Sequence, residues 1–241
     1  MFGEIKNKEG ETLDYTFHPG REGSRDIVVI GHGVTGNKDR PFVVALATGL
    51  AAAGINALRF SFAGNGESGG NFADSTVSKE VADLGSVLDA LEGYRVVFVG
   101  HSMGGGVGVV RASSDERIAR LVSLAGMVHT ADFAAREFGE VTPDAGNMWD
   151  DEDCPLSQKY MDDMNQIHSV VERAAAIDMP WLLLHGTEDD VVPLQDSKDI
   201  VAKAGDSAEL VIIDGADHVF SEHVEQMVEK VVGWVKAQLA Q

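Results

Sequence analysis

The 241-residue chain has a single cysteine, six prolines, and only 19 Lys and Arg against 39 Asp and Glu. One cysteine, Cys154, excludes an intramolecular disulfide and any cysteine-built zinc site. Its acidic neighbours, Asp150 to Asp153, disfavour the thiolate that a nucleophile would need, so Cys154 reads as a bystander. The shortage of basic charge leaves a formal net charge of −20. Such a chain repels phosphate backbones and anionic bilayers, which argues against nucleic acid and membrane surfaces as partners. Long apolar runs are missing as well. The most apolar stretch, Phe42 to Ile55, is rich in Ala and Gly, and is too short and too weakly apolar to span a bilayer. Met1 to Gly10 carries four charged residues and no apolar h-region, so it does not read as a secretory signal. A cytoplasmic protein is the default expectation.

What is present is an ordinary globular composition, 44% hydrophobic and 24% charged, sufficient for a buried core. Phe2 to Lys6 and Thr12 to His18 alternate apolar and polar residues around Asn7-Lys8-Glu9-Gly10, which predicts a β-hairpin. The rhythm then changes. Short apolar runs predict buried parallel strands at Ile27 to Ile30, Ile55 to Phe62, Val96 to Val99, Leu121 to Ala125, Trp181 to Leu184 and Leu210 to Ile213. Helical patterns fall at Phe42 to Ala53, Ser78 to Leu91, Met103 to Ser113, Leu194 to Ala204 and Glu222 to Gln238. The alternation predicts an α/β fold: one mostly parallel sheet of eight strands with helices on both faces. From about Met127 to Asp178 no buried strand pattern appears. That interval reads as a short lid inserted over the C-terminal edge of the sheet, where open α/β sheets bind ligands. The whole of 1–241 then forms a single domain.

Gly100-His101-Ser102-Met103-Gly104 follows a predicted strand and opens a predicted helix. This is G-x-S-x-G in the setting of a nucleophile elbow. The strained turn demands small neighbours, and the helix N-terminus beneath it offers N–H groups to a developing oxyanion. A serine needs a base and an orienting acid. Both appear at later strand ends: Asp189 or Asp190 after Trp181 to Leu184, and His218 after Leu210 to Ile213. Spacing from His185-Gly186 favours Asp189, with Asp190 turned to solvent or capping a helix. Among the other histidines, His223 is the main rival base. His101 should point away from its neighbour Ser102, His32 and His185 read as structural, and His168 as solvated.

A second oxyanion donor is expected after the strand Ile27 to Ile30, in Gly31-His32-Gly33-Val34-Thr35-Gly36. Here the Val34 N–H would join that of Met103. Ala63 to Gly70 is Gly-rich but lacks a phosphate-loop pattern, and reads as a structural turn. Trp149, in an acidic segment with few apolar neighbours, is a candidate for substrate contact at the pocket mouth. Anchoring of the lid is its alternative role.

Taken together, the chain resembles the serine-hydrolase branch of the α/β-hydrolase superfamily over essentially its whole length. The motifs His32-Gly33-Val34-Thr35-Gly36 and Gly100-His101-Ser102-Met103-Gly104-Gly105 resemble those of bacterial feruloyl/cinnamoyl esterases and related small carboxylesterases. It departs from them at Gly64-Asn65-Gly66-Glu67-Ser68, where family members often carry G-H-G-x-S, and in its acidic lid. The resemblance implies Ser102 as nucleophile, Asp189 as acid, His218 as base and the Val34 and Met103 amides as oxyanion hole. It also implies a small-molecule ester as substrate, of short-chain or aromatic acids, with no cofactor and no metal. A thioesterase or a small peptidase would use the same groups, and a non-catalytic ligand receptor could use the same fold. A homodimer is compatible with the sequence.

Overall fold

The computed structural model describes residues 2–240. Met1, the start of the charged N-terminal stretch, and Gln241, the last residue of the expected domain, lie outside the described residues. The strands are β1 (Tyr15–His18), β2 (Asp26–Gly31), β3 (Asn56–Phe60), β4 (Arg95–His101), β5 (Ile118–Leu124), β6 (Trp181–Gly186) and β7 (Ala208–Ile213). The helices are α1 (Pro41–Ala52), α2 (Val77–Ala90), α3 (Met103–Ala112), α4 (Thr130–Phe138), α5 (Gln158–Ile167), α6 (Leu194–Ala204) and α7 (Val224–Leu239).

The strands form one sheet in the order β1-β3-β2-β4-β5-β6-β7, parallel except for β1, which runs antiparallel to β3. Among the described residues the sheet therefore has seven strands where the sequence predicts eight. The difference lies in the N-terminal hairpin. Its first arm reduces to a single bridge between Lys6 and Thr12, with the Leu13 N–H donating to the Ile5 carbonyl. Gly3 at φ +71° breaks the extended run. The apolar alternation of that arm instead serves side-chain packing, with Phe2 set edge-on against Tyr15, Phe17 and Tyr94.

Alternating strand residues feed two cores. Ile27, Val29, Phe98 and Leu121 face one side with α2 and α3, while Val28, Ile30, Val99 and Val122 face the other with α1 and α7. Burial on both faces is the reason these strands read as continuous apolar runs. Pro41 begins α1, where its missing N–H is not needed. Thr76 and Ser157 cap α2 and α5 by accepting from Lys79 N–H and Tyr160 N–H, worth about 1 kcal/mol each. No helix among the described residues is long and apolar enough to cross a membrane.

The chain runs from β2 to β3 on one side and returns to β4 on the other, so the strand order reverses between β2 and β4. The loops leaving these two strands border the crevice where such sheets hold ligands. The 127–178 segment contains α4, α5 and two short 3₁₀ turns, Met148–Asp150 and Val171–Ala176, with one bridge between Asn147 and Pro155. Met148, Leu156, Tyr160 and Met164 bury into the same core as α2 and α3. Beneath α5 the Tyr160 hydroxyl and Glu80 Oε2 are both buried without a hydrogen-bond partner. Burial, with nearby Asp83, raises the Glu80 pKa well above the carboxylate range. Cys154 is buried in this segment, and burial together with Asp151 pushes its thiol up to about 11, so it stays protonated.

Candidate active site

Ser102 sits between β4 and α3 at φ 53°, ψ −122°, a left-handed conformation that costs a non-glycine residue about 1–3 kcal/mol. The turn is held by backbone bonds. Ser102 N–H donates to the Leu124 carbonyl, and the Ser102 carbonyl accepts from Gly105 N–H and Met127 N–H. Its neighbours must be small for a steric reason. A methyl group at Gly100 would strike the Gly104 carbonyl, and one at Gly104 would strike the His32 carbonyl. Strand, helix and the β2 loop thus meet backbone to backbone. Gly33 makes room for the serine itself, since a Cβ there would lie 2.7 Å from Ser102 Cβ.

Three other loops converge on this point. After β6, Asp189 Oδ2 accepts from His218 Nδ1–H at 2.9 Å, and its side chain is only 1% exposed. Asp189 Oδ1 accepts from the Val191 and Val192 N–H groups at 3.0 and 2.8 Å. His185 stands on the far side, 3.2 Å from the same Oδ2. Burial acts to raise the Asp189 pKa. The hydrogen bonds from His185, His218 and Val192 outweigh it and hold the carboxyl well below its ordinary range. Asp190 is exposed and turned away. Of the adjacent pair, the structure brings Asp189 to His218 and leaves Asp190 exposed.

His218 follows β7, and its Nδ1–H bond to Asp189 leaves Nε2 as an acceptor. Val34, just after β2, lines the same pocket. Met103, first residue of α3, carries an N–H with no intrahelical acceptor. The pocket has a volume of about 350 Å³, and His218, Ser102, Val34 and Trp149 all line it. The structure therefore brings Ser102, Asp189, His218, Val34, Met103 and Trp149 to one place.

Trp149 is 44% exposed and adopts φ 48°. One edge of its indole packs on Phe138 of α4 at 4.9 Å, and its Nε1–H donates to Glu137 at 3.1 Å. The ring is anchored within its own segment while also lining the pocket.

The other histidines separate cleanly. His32 donates from Nδ1 to the Gly33 carbonyl and accepts from Phe62 N–H at Nε2, tying the β2 loop to the end of β3. Burial lowers it to about 4. His185 is held between Ser197 and the Val192 carbonyl. His223 is the N-cap residue of α7 and His168 is exposed at the end of α5.

His101 is the surprise. The sequence predicts that it points away from Ser102; in the structure it lines the same pocket. Its ring lies 4.7 Å from that of His218, and its Nε2–H donates to the His218 carbonyl at 2.9 Å. Burial, with His218 adjacent, lowers it to about 3, so it stays neutral and fixes the backbone of the residue above it. Arg40, Phe42, Val191 and Val219 complete much of the wall and were not singled out from sequence. Only the nearness of Arg40 to the Gly33-Val34-Thr35-Gly36 loop could have signalled it. The Ala63 to Gly70 turn, by contrast, is tied to Asp83 and Ser75 and takes no part in the pocket wall. Among the described residues no cluster of three or more His, Cys, Asp or Glu side chains could hold a metal ion.

The family model described as "Alpha/beta hydrolase family" matches residues 27–233. The chain belongs to the α/β hydrolase family. Est1E from Butyrivibrio proteoclasticus, solved with ferulic acid bound, superposes on this α/β hydrolase with a TM-score of 0.88 over 99% of each chain, at 24% identity. The Pyrococcus furiosus esterase Pf2001 gives a TM-score of 0.76 at 22% identity, covering 97% of this chain and 90% of its own. Among curated relatives, the Homo sapiens mitochondrial palmitoyl-protein thioesterase ABHD10 is 25% identical over 186 residues, 70% of this chain. That match spans 58% of the relative's length.

Proposed function

We propose that this α/β hydrolase is a serine carboxylesterase acting through an acyl-enzyme on small esters. The observation that carries the reading is the 2.9 Å bond from His218 Nδ1 to a buried Asp189, in a pocket that also holds Ser102. Asp189 fixes the imidazole with Nε2 as acceptor. Nε2 takes the Ser102 proton as Oγ bonds to the ester carbonyl carbon, and Asp189 stabilises the resulting imidazolium. The Val34 and Met103 N–H groups receive the negative charge that moves onto the carbonyl oxygen. The bond to the alcohol oxygen then breaks, and His218 returns the proton to the departing alcohol. Water, losing its proton to the same histidine, bonds to the acyl carbon. The acyl–Oγ bond then breaks, His218 returns the proton to Ser102 Oγ and the acid is released.

The 127–178 segment acts in this reading as a lid, with Trp149 at the mouth. Phe42, Trp149, Val191 and Val219 supply apolar wall for a short or aromatic acyl group, a size that the volume of about 350 Å³ suits. A thioesterase is the second reading, favoured by the name of the ABHD10 relatives. It uses the same groups and differs in the leaving atom.

The test is a fluorophosphonate probe with 4-nitrophenyl acetate hydrolysis. The wild-type protein should label at Ser102. A folded Ser102→Ala protein should neither label nor turn over, with kcat reduced by at least about 10³-fold. Near-wild-type hydrolysis by folded Ser102→Ala rules the mechanism out. A wild-type protein that binds esters but takes no label is the non-catalytic receptor instead.

A further inference from the structure

The pocket is an electrostatic exception in this molecule. The chain carries a formal charge of −20, yet among the described residues no Asp or Glu lines the cavity that holds Ser102 and His218. The one side chain with a permanent charge in its wall is Arg40. Its Nη2 donates to the Thr35 carbonyl at 2.9 Å, which tethers the guanidinium to the loop that carries Val34.

Arg40 also lacks the partner that local sequence offers it. The adjacent Asp39 pairs with Lys38 at 2.7 Å and with Arg59, and Lys38 takes Asp14 as well at 3.1 Å. The Asp39 and Asp14 carboxylates are thus committed to Lys38 and Arg59, two cations that do not line the pocket. Arg40 makes no ion pair among the described residues, and four of its five N–H donors remain available. A guanidinium presents those donors as a planar fork that matches a carboxylate. In a strongly acidic molecule a carboxylate-bearing ester would otherwise be repelled.

We propose that Arg40 is a specificity-determining residue that selects esters carrying a carboxylate. The inference rests on the esterase reading for its choice of ligand. The carboxylate can belong to the acyl or to the alcohol part, and two substrate pairs distinguish them. For the alcohol side, 4-acetoxybenzoate is compared with its methyl ester. For the acyl side, 4-nitrophenyl hydrogen adipate is compared with methyl 4-nitrophenyl adipate. In at least one pair the anionic ester should have the higher kcat/KM, by about tenfold at low ionic strength, and added salt should shrink that preference. Arg40→Gln should reduce the anionic-to-neutral ratio by about tenfold, and Arg40→Lys should restore part of it.

Calorimetric titration of Ser102→Ala and of Ser102→Ala with Arg40→Gln, using the same ligands, reads the preference without turnover. If none of the four esters is hydrolysed, the esterase reading fails while this titration still decides the role of Arg40. A wild-type preference for neutral esters in both pairs overturns the proposal, as does an anionic-to-neutral ratio that Arg40→Gln leaves unchanged.

Discussion

The elbow around Ser102 and the 127–178 segment above it are built on opposite plans. At the elbow, buried polar groups are bonded on every side. His32, His101, His185 and Asp189 each have named partners, and Asp189 alone receives four protein groups. Glycines let backbone touch backbone, so there is little room for alternative packing. In the upper segment the chain turns through Asp144, Trp149, Asp150 and His168 at positive φ, and its joint with α2 buries a tyrosine hydroxyl and a carboxyl oxygen without partners. Bonding at the elbow fixes where Ser102, Asp189 and His218 lie. The construction above leaves the pocket mouth open to variation.

The contrast can be tested first where the effect should be largest. Asp189→Asn should lower kcat by about 10³- to 10⁴-fold, because an amide neither fixes the working tautomer nor stabilises the imidazolium. Its remaining oxygen can still accept from Val191 and Val192, so the fold should survive. Asp190→Asn, one residue away and exposed, should change kcat by no more than a factor of about two. Steady-state rates on one acetate ester decide the matter, and the reverse order would move the acid to Asp190.

Next comes acid stability, which should betray the buried histidines of the elbow. His32 and His101 are neutral in the folded protein, with pKa values lowered to about 4 and about 3, whereas in the unfolded chain each protonates near about 6.5. Depressed folded values mean that their stability contribution is fully present above the unfolded pKa. It is lost as pH falls from about 6.5 toward the folded values, by about 1.4 kcal/mol per pH unit for each histidine. Urea unfolding of wild type and His101→Gln between pH 7 and 4.5 should show the variant with the shallower slope. Parallel slopes would mean that His101 does not stay neutral when folded.

The smallest effect belongs to the upper segment. Trp149→Ala should alter the kcat/KM ratio between a cinnamate and an acetate ester by about three- to tenfold, with acetate turnover nearly preserved. A uniform loss on both esters, with melting lowered by a few degrees, would make the indole an anchor through Phe138 and Glu137 only.

The same division governs what the sequence made legible. Ser102, Asp189 and His218 could be placed together because each follows an apolar strand pattern, and parallel strands bring their C-terminal ends to one edge. Of the three strands only β7, expected to be buried, proves to be a partly exposed edge strand, with Ile212 47% exposed. Glycine at 100 and 104 marked a close approach that the structure shows against the Gly104 and His32 carbonyls. The N-terminal arm misled because Phe2 and Ile5 alternate like a strand but bury against aromatic rings and the core, with Gly3 interrupting the ladder. His101 could not be oriented from its own turn. Its partner carbonyl belongs to a residue 117 positions later, and no local pattern encodes that meeting. Arg40 was hidden for a similar reason. Its significance lies in Asp39 being occupied by Lys38 and Arg59, an allocation settled only by the fold.

The backbone of Ser102 carries one more implication. At φ 53° the position suits glycine, and a serine is retained there against the preference of its own main chain. Stability alone therefore favours glycine at this position. Where the hydroxyl is not needed, position 102 is among the first at which a more stable variant would arise. A homologue with glycine at this position would keep the fold and lack the hydroxyl on which the proposed reaction depends.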